Sequence, residues 1–137
     1  MLFGYSGTAQ NTSKILKEYI AIKDALVNSD SKMATKAITT FYQTIKSEKD
    51  FPQKASLVKA TEKLSKANSL EKQRSVFNDV SVTLWKLVKS CSKIDTAVYY
   101  QYCPMKKTYW LSYEKEIENP YYGSSMLTCG KVVETKK

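Results

Sequence analysis

The chain contains no histidine and a single arginine, although lysine is abundant. Lysine and arginine together number 22 of 137 residues, only Arg74 is arginine, and the formal net charge is +9. Without histidine, general acid–base catalysis would depend on carboxylates or lysines. No nucleophile–base pair and no Gly-rich phosphate loop is visible, and Glu114, Glu116 and Glu118 form a stretch typical of a solvated surface. We therefore expect a protein that is not an enzyme.

The scarcity of arginine also bears on nucleic-acid binding. Base-specific recognition depends on the bidentate arginine fork. The lysines of this chain are spread along its whole length, and such lysines usually form a solvated surface that keeps a protein soluble. We therefore expect no nucleic-acid partner, in spite of the positive net charge.

Long hydrophobic runs are missing as well. No segment approaches the roughly 18 consecutive apolar residues that a membrane-spanning helix needs. Residues 1–5 are mostly apolar, but they are too few for a signal peptide and lack its positively charged start. We therefore expect neither a membrane span nor a signal peptide within this chain.

Four segments of the chain carry apolar residues every three or four positions, which is the spacing of one helix face. The predicted stripes are Ile15, Leu16, Tyr19, Ile22 and Leu26; Met33, Ala34, Ala37, Ile38, Phe41 and Ile45; Leu57, Thr61, Leu64 and Ala67; and Leu70, Phe77, Val80, Leu84, Leu87 and Cys91. Amphipathic segments with short connections favour an up-down-up-down four-helix bundle. The predicted fold is all-α dominated, with this bundle over residues 11–93 and a loose lead-in over residues 1–10.

Polar residues that cap helices mark the expected breaks between these segments. Residues 28–31 interrupt the first stripe and supply a cap for the second helix. Asp50 is the predicted cap of the third helix, and Pro52 suits the first turn, where its missing N–H is tolerated. Asn68 and Ser69, with a glutamate shortly after them, resemble a capping box for the fourth helix.

After the fourth stripe the apolar period changes to alternation. One side of this segment carries Val98, Tyr100 and Tyr102, and the other carries Tyr99, Gln101 and Cys103. Such alternation of β-favouring residues is typical of a strand, and residues 131–135 are the expected partner. Asn119, Pro120 and Gly123 are turn signals in the loop between them. We therefore predict one domain, residues 1–137, in which residues 94–137 form a short two-stranded element with a long loop.

Sulfur is concentrated in this C-terminal segment. Cys103 and Met105 lie on either side of a proline and can point to one side of an extended chain. Met126 and Cys129 would converge if they lay in a turn, which Gly130 favours. Two thiolates and two thioethers are soft ligands that favour Cu(I), whereas zinc prefers histidine or more cysteines and iron–sulfur clusters usually take four cysteines. We predict a candidate site for Cu(I) or another soft metal at these two cysteines and two methionines.

Two structural alternatives stay open for the same residues. Cys103 and Cys129 could form a disulfide, and closing a loop of this size would stabilise the fold by roughly 3.5 kcal/mol. Met105 and Met126 would then fill space under the loop. The thiols could also be free. The third cysteine, Cys91, continues a helical stripe and is expected to be a small buried side chain.

The segments VYYQYCPM, YWLSYEKEIENPYYG and MLTCG resemble the bacterial domain family DUF3347. The helical part resembles it more loosely, through residues 23–26 (KDAL) and 73–77 (QRSVF). The residues at motif positions are Cys103, Met105, Trp110, Asn119, Pro120, Tyr122, Gly123, Met126, Cys129 and Gly130. The chain departs from the family in having Val76 where relatives carry a histidine, and in a shorter stretch after the C-P-M motif.

This resemblance implies a helical bundle located in the periplasm or elsewhere in the cell envelope. Members of the family occur as exported proteins in Bacteroidetes and as appendages of periplasmic adaptor subunits of heavy-metal efflux systems. The implied partner is therefore an envelope or efflux-complex protein, and the implied activity is a link to copper handling. Two hypotheses follow: a module that binds a soft metal through the sulfur residues, or a disulfide-clamped structural and protein-interaction domain whose aromatic C-terminal face contacts a partner.

Overall fold

Four helices precede three strands along the chain. A computed structural model describes residues 4–92 and 94–137, with side chains from residue 12 onward. The helices are α1, Gly4–Val27; α2, Ser31–Ser47; α3, Lys54–Ser65; and α4, Leu70–Ser90. The strands are β1, Val98–Cys103; β2, Thr108–Ser112; and β3, Lys131–Lys136, with one turn of 3₁₀ helix, Gly123–Ser125, before β3. No helix in the described ranges has the length and apolar character needed to cross a membrane.

The predicted apolar stripes form the core of the helical part. All five predicted residues of α1 are buried, as are Phe41 in α2, Leu57 in α3 and Phe77 in α4. Met33 is an exception, since its side chain is 52% exposed in the first turn of α2. Consecutive helices pack against each other, and α1 also contacts α4. The up-down-up-down order of helix directions stays a prediction.

Caps form in two of the three predicted segments, although Ser69 caps the fourth helix in place of the box expected from Asn68 and Glu71. The Asp30 carboxylate accepts a hydrogen bond from the N–H of Met33 at 3.0 Å, and the Ser69 hydroxyl accepts one from the N–H of Lys72 at 3.2 Å. The prediction for Asp50 is wrong. A turn over residues 51–53 ends at Gln53, which has a φ of 73° and caps α3 without a side-chain bond. This turn moves the start of α3 beyond Asp50.

The first helix begins earlier than its apolar stripe. We expected a loose lead-in over residues 1–10, but α1 already starts at Gly4. Residues 4–11 carry no helical apolar period in the sequence, so periodicity could not reveal this part of the helix. Residues 1–3 of the expected lead-in lie outside the described part of the chain.

The sheet has three antiparallel strands, so the prediction of a two-stranded element is wrong in strand number. The predicted β1–β3 pair is present, with Val98 opposite Lys136. The additional strand, β2, pairs with the other edge of β1 and makes β1 the central strand. A tight turn creates it, because the N–H of Lys107, which has a φ of 56°, donates to the C=O of Cys103 at 2.7 Å. A five-residue strand directly after this turn is too short for a clear alternating pattern.

One buried tyrosine joins the sheet to the helices. Tyr19 of α1 stacks on Phe77 of α4, with 5.1 Å between ring centroids. The Ser81 hydroxyl donates to the C=O of Phe77, so the Tyr19 hydroxyl donates to Ser81 at 2.6 Å and accepts from the N–H of Leu111 at 3.1 Å. Burial raises the pKa of Tyr19 well above its usual value. This junction holds β2, and through it β1, at a fixed position on α1 and α4.

Candidate functional site

The β1–β2 hairpin positions Cys103. This residue ends β1 opposite Thr108 of β2, and its side chain is fully buried. The N–H of Lys106, in the turn after β1, donates to the Cys103 sulfur at 3.4 Å. Since both the strand pairing and the turn are fixed by backbone hydrogen bonds, the thiol has a defined position at the end of the central strand.

A turn directly before β3 positions Cys129. Its N–H donates to the C=O of Met126 at 3.1 Å, so these two residues lie in the turn on which the predicted convergence depended. Gly130 follows with a φ of +151°. A Cβ at this glycine would lie 2.9 Å from a ring atom of Trp110 and 3.0 Å from the C=O of Tyr102. Position 130 therefore requires glycine, because any Cβ there would collide with the Trp110 ring.

The two cysteines that the sequence singled out are brought together. Their sulfur atoms, Cys103 Sγ and Cys129 Sγ, lie 3.8 Å apart and are not bonded, since a disulfide bond is about 2.04 Å long. Burial and the neighbouring Cys103 thiol raise the pKa of Cys129, and a hydrogen bond from the N–H of Met105 opposes this rise. The pair therefore consists of two adjacent thiols at the junction of β1 and β3.

The two methionines of the predicted site approach the cysteines with their backbones, not with their side chains. The N–H of Met105 contacts the Cys129 thiol, and the C=O of Met126 accepts from the N–H of Cys129. Their side chains are exposed, by 66% for Met105 and 41% for Met126. The Cys103 side chain is therefore buried and that of Cys129 half-buried, whereas both methionine side chains are exposed at the surface. Cys91 is separate, buried at the end of α4.

Asn119 organises the loop that carries Cys129. Its side chain is fully buried, and its amide Nδ2 donates to the C=O of Cys129 at 2.7 Å. Its Oδ1 accepts from the N–H groups of Tyr121 at 2.8 Å and Tyr122 at 3.2 Å. Its own N–H donates to the C=O of Leu127 at 2.8 Å. From the sequence we interpreted Asn119 only as a turn signal. In the structure its side chain joins the turn at Tyr121 and Tyr122 to Cys129, which lies directly before β3.

Arg74 attaches the same loop to the helices. Its Nε donates to the C=O of Pro120 at 2.7 Å, and its Nη2 donates to the C=O of Leu26 at 2.6 Å and to the Ser29 hydroxyl at 3.1 Å. Desolvation by burial lowers the pKa of the guanidinium from its usual value. Gly123 packs closely on this group, because a Cβ there would lie 2.6 Å from Nη2. The one arginine of the chain thus connects α1, α4 and the loop that precedes β3.

Comparison with known proteins identifies the helical part of the chain. A family model described as "Protein of unknown function (DUF3347)" matches residues 15–96, which is more than half of the chain. The chain belongs to the DUF3347 family. The resemblance seen in the sequence is therefore confirmed, although the matched residues end before β1 and the sulfur pair. No curated protein and no solved structure matches this DUF3347 chain.

The donor set of this DUF3347 protein consists mainly of sulfur. The described residues contain no group of three or more His, Cys, Asp and Glu side chains that could hold a metal ion. Besides the two cysteines, Met105 and Met126 are the other predicted sulfur ligands of this segment. The sequence singled out these four residues because each contains sulfur, and their role as metal ligands stays a prediction. The sequence did not reveal the positioning roles of Asn119 and Arg74. The only signal for Arg74 was that it is the single arginine of the chain.

Proposed function

We propose that this DUF3347 protein is a non-enzymatic binding module that handles Cu(I) or another soft metal ion in connection with metal efflux. The proposed ligands are the thiolates of Cys103 and Cys129, supplemented by the thioethers of Met105 and Met126. The single observation that carries this proposal is the 3.8 Å separation of the two unbonded cysteine sulfurs.

This separation fits two sulfurs that share one metal ion. Two ligands at about 2.3 Å from a tetrahedral metal, the metal–sulfur distance known for zinc thiolates, lie roughly 3.8 Å apart. The pair would therefore accept an ion with little movement of its backbone. Soft sulfur donors without any imidazole favour Cu(I) over the harder divalent ions.

The exposed methionines support exchange of the ion with a partner. The C=O of Met126 accepts from the N–H of Cys129, and Met105 lies two residues after Cys103, but both methionine side chains reach solvent. Thioethers are weak, flexible ligands, so they could receive an ion at the surface and pass it to the thiolates beneath. We infer that the partner is a protein of the cell envelope or of an efflux complex. We also infer that the module acts in the periplasm or envelope and has no nucleic-acid role. The family resemblance of the C-terminal motifs supports this location.

We infer in addition the up-down-up-down order of helices, which the packing of consecutive helices supports.

A disulfide-clamped interaction domain is the second candidate function. The same 3.8 Å distance is close to van der Waals contact between sulfurs, and a small shift of the loop would allow the bond. Cys103 and Cys129 would then join β1 to the start of β3, and the exposed methionines would contact a partner protein directly.

Titration of the reduced protein with Cu(I) against a competing chelator separates the two functions. We expect one Cu(I) per chain, with affinity lost in Cys103→Ser and weakened in Met126→Leu. Met33→Leu is the matched control, because Met33 is also exposed but lies on α2, and it should leave the affinity unchanged.

A thiol count on the oxidised protein completes the comparison. A Cys103–Cys129 disulfide that forms quantitatively and resists mild reductant, together with no Cu(I) uptake by the reduced protein, would refute metal binding and support the clamp. Stoichiometric Cu(I) uptake that Cys103→Ser removes would refute a purely structural role.

A further inference from the structure

A cleft separate from the sulfur pair lies between the start of α4 and the C-terminal segment. It has a volume of about 740 Å³. Glu71 and Arg74 of α4 form one side, and Lys106 from the β1–β2 turn and Tyr122 from the loop before β3 form the other. Three parts of the chain that are distant in sequence therefore line one open cleft. Two of the three charged side chains in its wall, Arg74 and Lys106, are cations.

Arg74 uses only part of its hydrogen-bonding capacity to hold the fold. Its Nε and Nη2 donate to two backbone carbonyls and a hydroxyl, whereas Nη1 has no acceptor within residues 4–92 and 94–137. A guanidinium presents five N–H donors in a planar fork, so donors remain on this group for a ligand. Because the other donors fix the guanidinium in place, a ligand bound to Nη1 would not have to order the side chain.

The positive charge in the cleft is not neutralised by the protein. Neither Arg74 nor Lys106 forms an ion pair with any carboxylate that the structure describes. The Lys106 ammonium instead lies over the ring of Tyr122, 5.1 Å from its centroid. Glu71 contributes the one carboxylate of the cleft wall, on an exposed side chain. The net charge of the wall is therefore positive.

We propose that this cleft binds a small organic oxyanion, a carboxylate or phosphate monoester with an apolar body. The anionic group would bind to Arg74 and Lys106. The apolar body would contact Leu70 and the rings of Tyr121 and Tyr122, which complete the wall. The volume supports an organic anion over a bare inorganic ion, which would fill only a small part of the space. This site shares the β1–β2 turn with the proposed metal site, because the N–H of Lys106 donates to the Cys103 sulfur, but it uses none of the four sulfur residues and needs no metal.

The test is a titration of the metal-free protein by two-dimensional NMR with benzoate, phenyl phosphate, inorganic phosphate and neutral benzamide. We expect benzoate and phenyl phosphate to give saturable shifts at the Arg74 Nε–H and at the cleft residues, inorganic phosphate to bind more weakly, and benzamide not to bind. The relative affinities of benzoate and phenyl phosphate identify the preferred oxyanion.

Charge variants show whether binding depends on the cleft. One charge removed near a partly exposed anion should change the affinity about threefold to fivefold. Lys106→Gln should therefore weaken binding and Glu71→Gln should strengthen it, and both side chains are exposed. Lys59→Gln, which makes the same change of net charge on the exposed side of α3, is the control and should leave the affinity unchanged. Benzamide binding as well as benzoate, equal effects of Lys106→Gln and Lys59→Gln, or no saturable shifts would overturn the proposal.

Discussion

Removal of the Asn119 side chain is the most informative perturbation of the C-terminal segment. The side chain is fully buried and makes three hydrogen bonds, two as acceptor and one as donor to the C=O of Cys129. Asn119→Ala removes all three, whereas Asn119→Asp keeps both acceptor bonds but places a carboxylate oxygen, in place of the donor, against the C=O of Cys129. The two variants therefore separate the stability of the loop from the position of Cys129.

The expected loss of stability follows from the groups left unpaired. A buried polar group without its partner costs about 1–3 kcal/mol. Asn119→Ala leaves the N–H groups of Tyr121 and Tyr122 and the C=O of Cys129 without their present partner. From the two shorter bonds, to Tyr121 and Cys129, we expect a loss of about 2–6 kcal/mol. Typical domains are stable by about 5–15 kcal/mol, so the variant should fold but unfold at a clearly lower urea concentration.

The position of Cys129 has its own measurement. The equilibrium between the dithiol and the Cys103–Cys129 disulfide in glutathione buffers reports the effective concentration of one thiol at the other, and it requires no metal. A positional restraint worth about 1.4 kcal/mol corresponds to a tenfold change in this equilibrium. We expect Asn119→Asp, in which a carboxylate oxygen repels the C=O of Cys129, to lower the effective concentration about tenfold.

Two results would refute this reasoning. A loss below about 1 kcal/mol in Asn119→Ala would mean that the buried groups find other partners, so that Asn119 does not organise the loop. An unchanged glutathione equilibrium in both variants would mean that the β1–β3 pairing alone positions Cys129.

Three further predictions concern the surroundings of the site. Gly130→Ala should destabilise the protein by about 2–4 kcal/mol in urea unfolding, because the new methyl group would overlap the Trp110 ring and alanine is strained at this φ. Arg74→Lys should cost about 1–3 kcal/mol in the same assay, since lysine lacks the fork that reaches both carbonyls. Burial raises the pKa of Tyr19 and Tyr121 above the usual value of 10.0, so stability should be constant with respect to these groups below pH 10. Above pH 10 the unfolded state loses these protons first, and stability should fall by about 1.4 kcal/mol per pH unit for each tyrosine. Urea midpoints at pH 9 and 11 check this, and equal midpoints would contradict it.

The sequence indicated which sulfur residues could form the candidate site, but it could not show whether they lie close together. The spacing around Cys103 and Cys129 indicated a soft-metal site if the two halves met. Their meeting depends on the β1–β3 register, the turn after Met126 and the hydrogen bond from Asn119, and these join residues far apart in sequence. The exposure of the methionines had no signal in the sequence, because methionine occurs both in cores and on binding surfaces.

The local features of this DUF3347 protein follow from its sequence alone. The stripes of α1, α2 and α4, the caps at Asp30 and Ser69, and the strand β1 follow from periodicity and side-chain chemistry within a few residues. The third strand and the displaced start of α3 depend on short turns at Lys107 and Gln53, whose positive φ had no signal in the sequence because neither residue is a glycine. Only the tertiary structure fixed the Arg74 contacts and the 3.8 Å approach of the thiols. Both join groups that are far apart in sequence and meet only in the folded chain, and no local pattern encodes such a meeting.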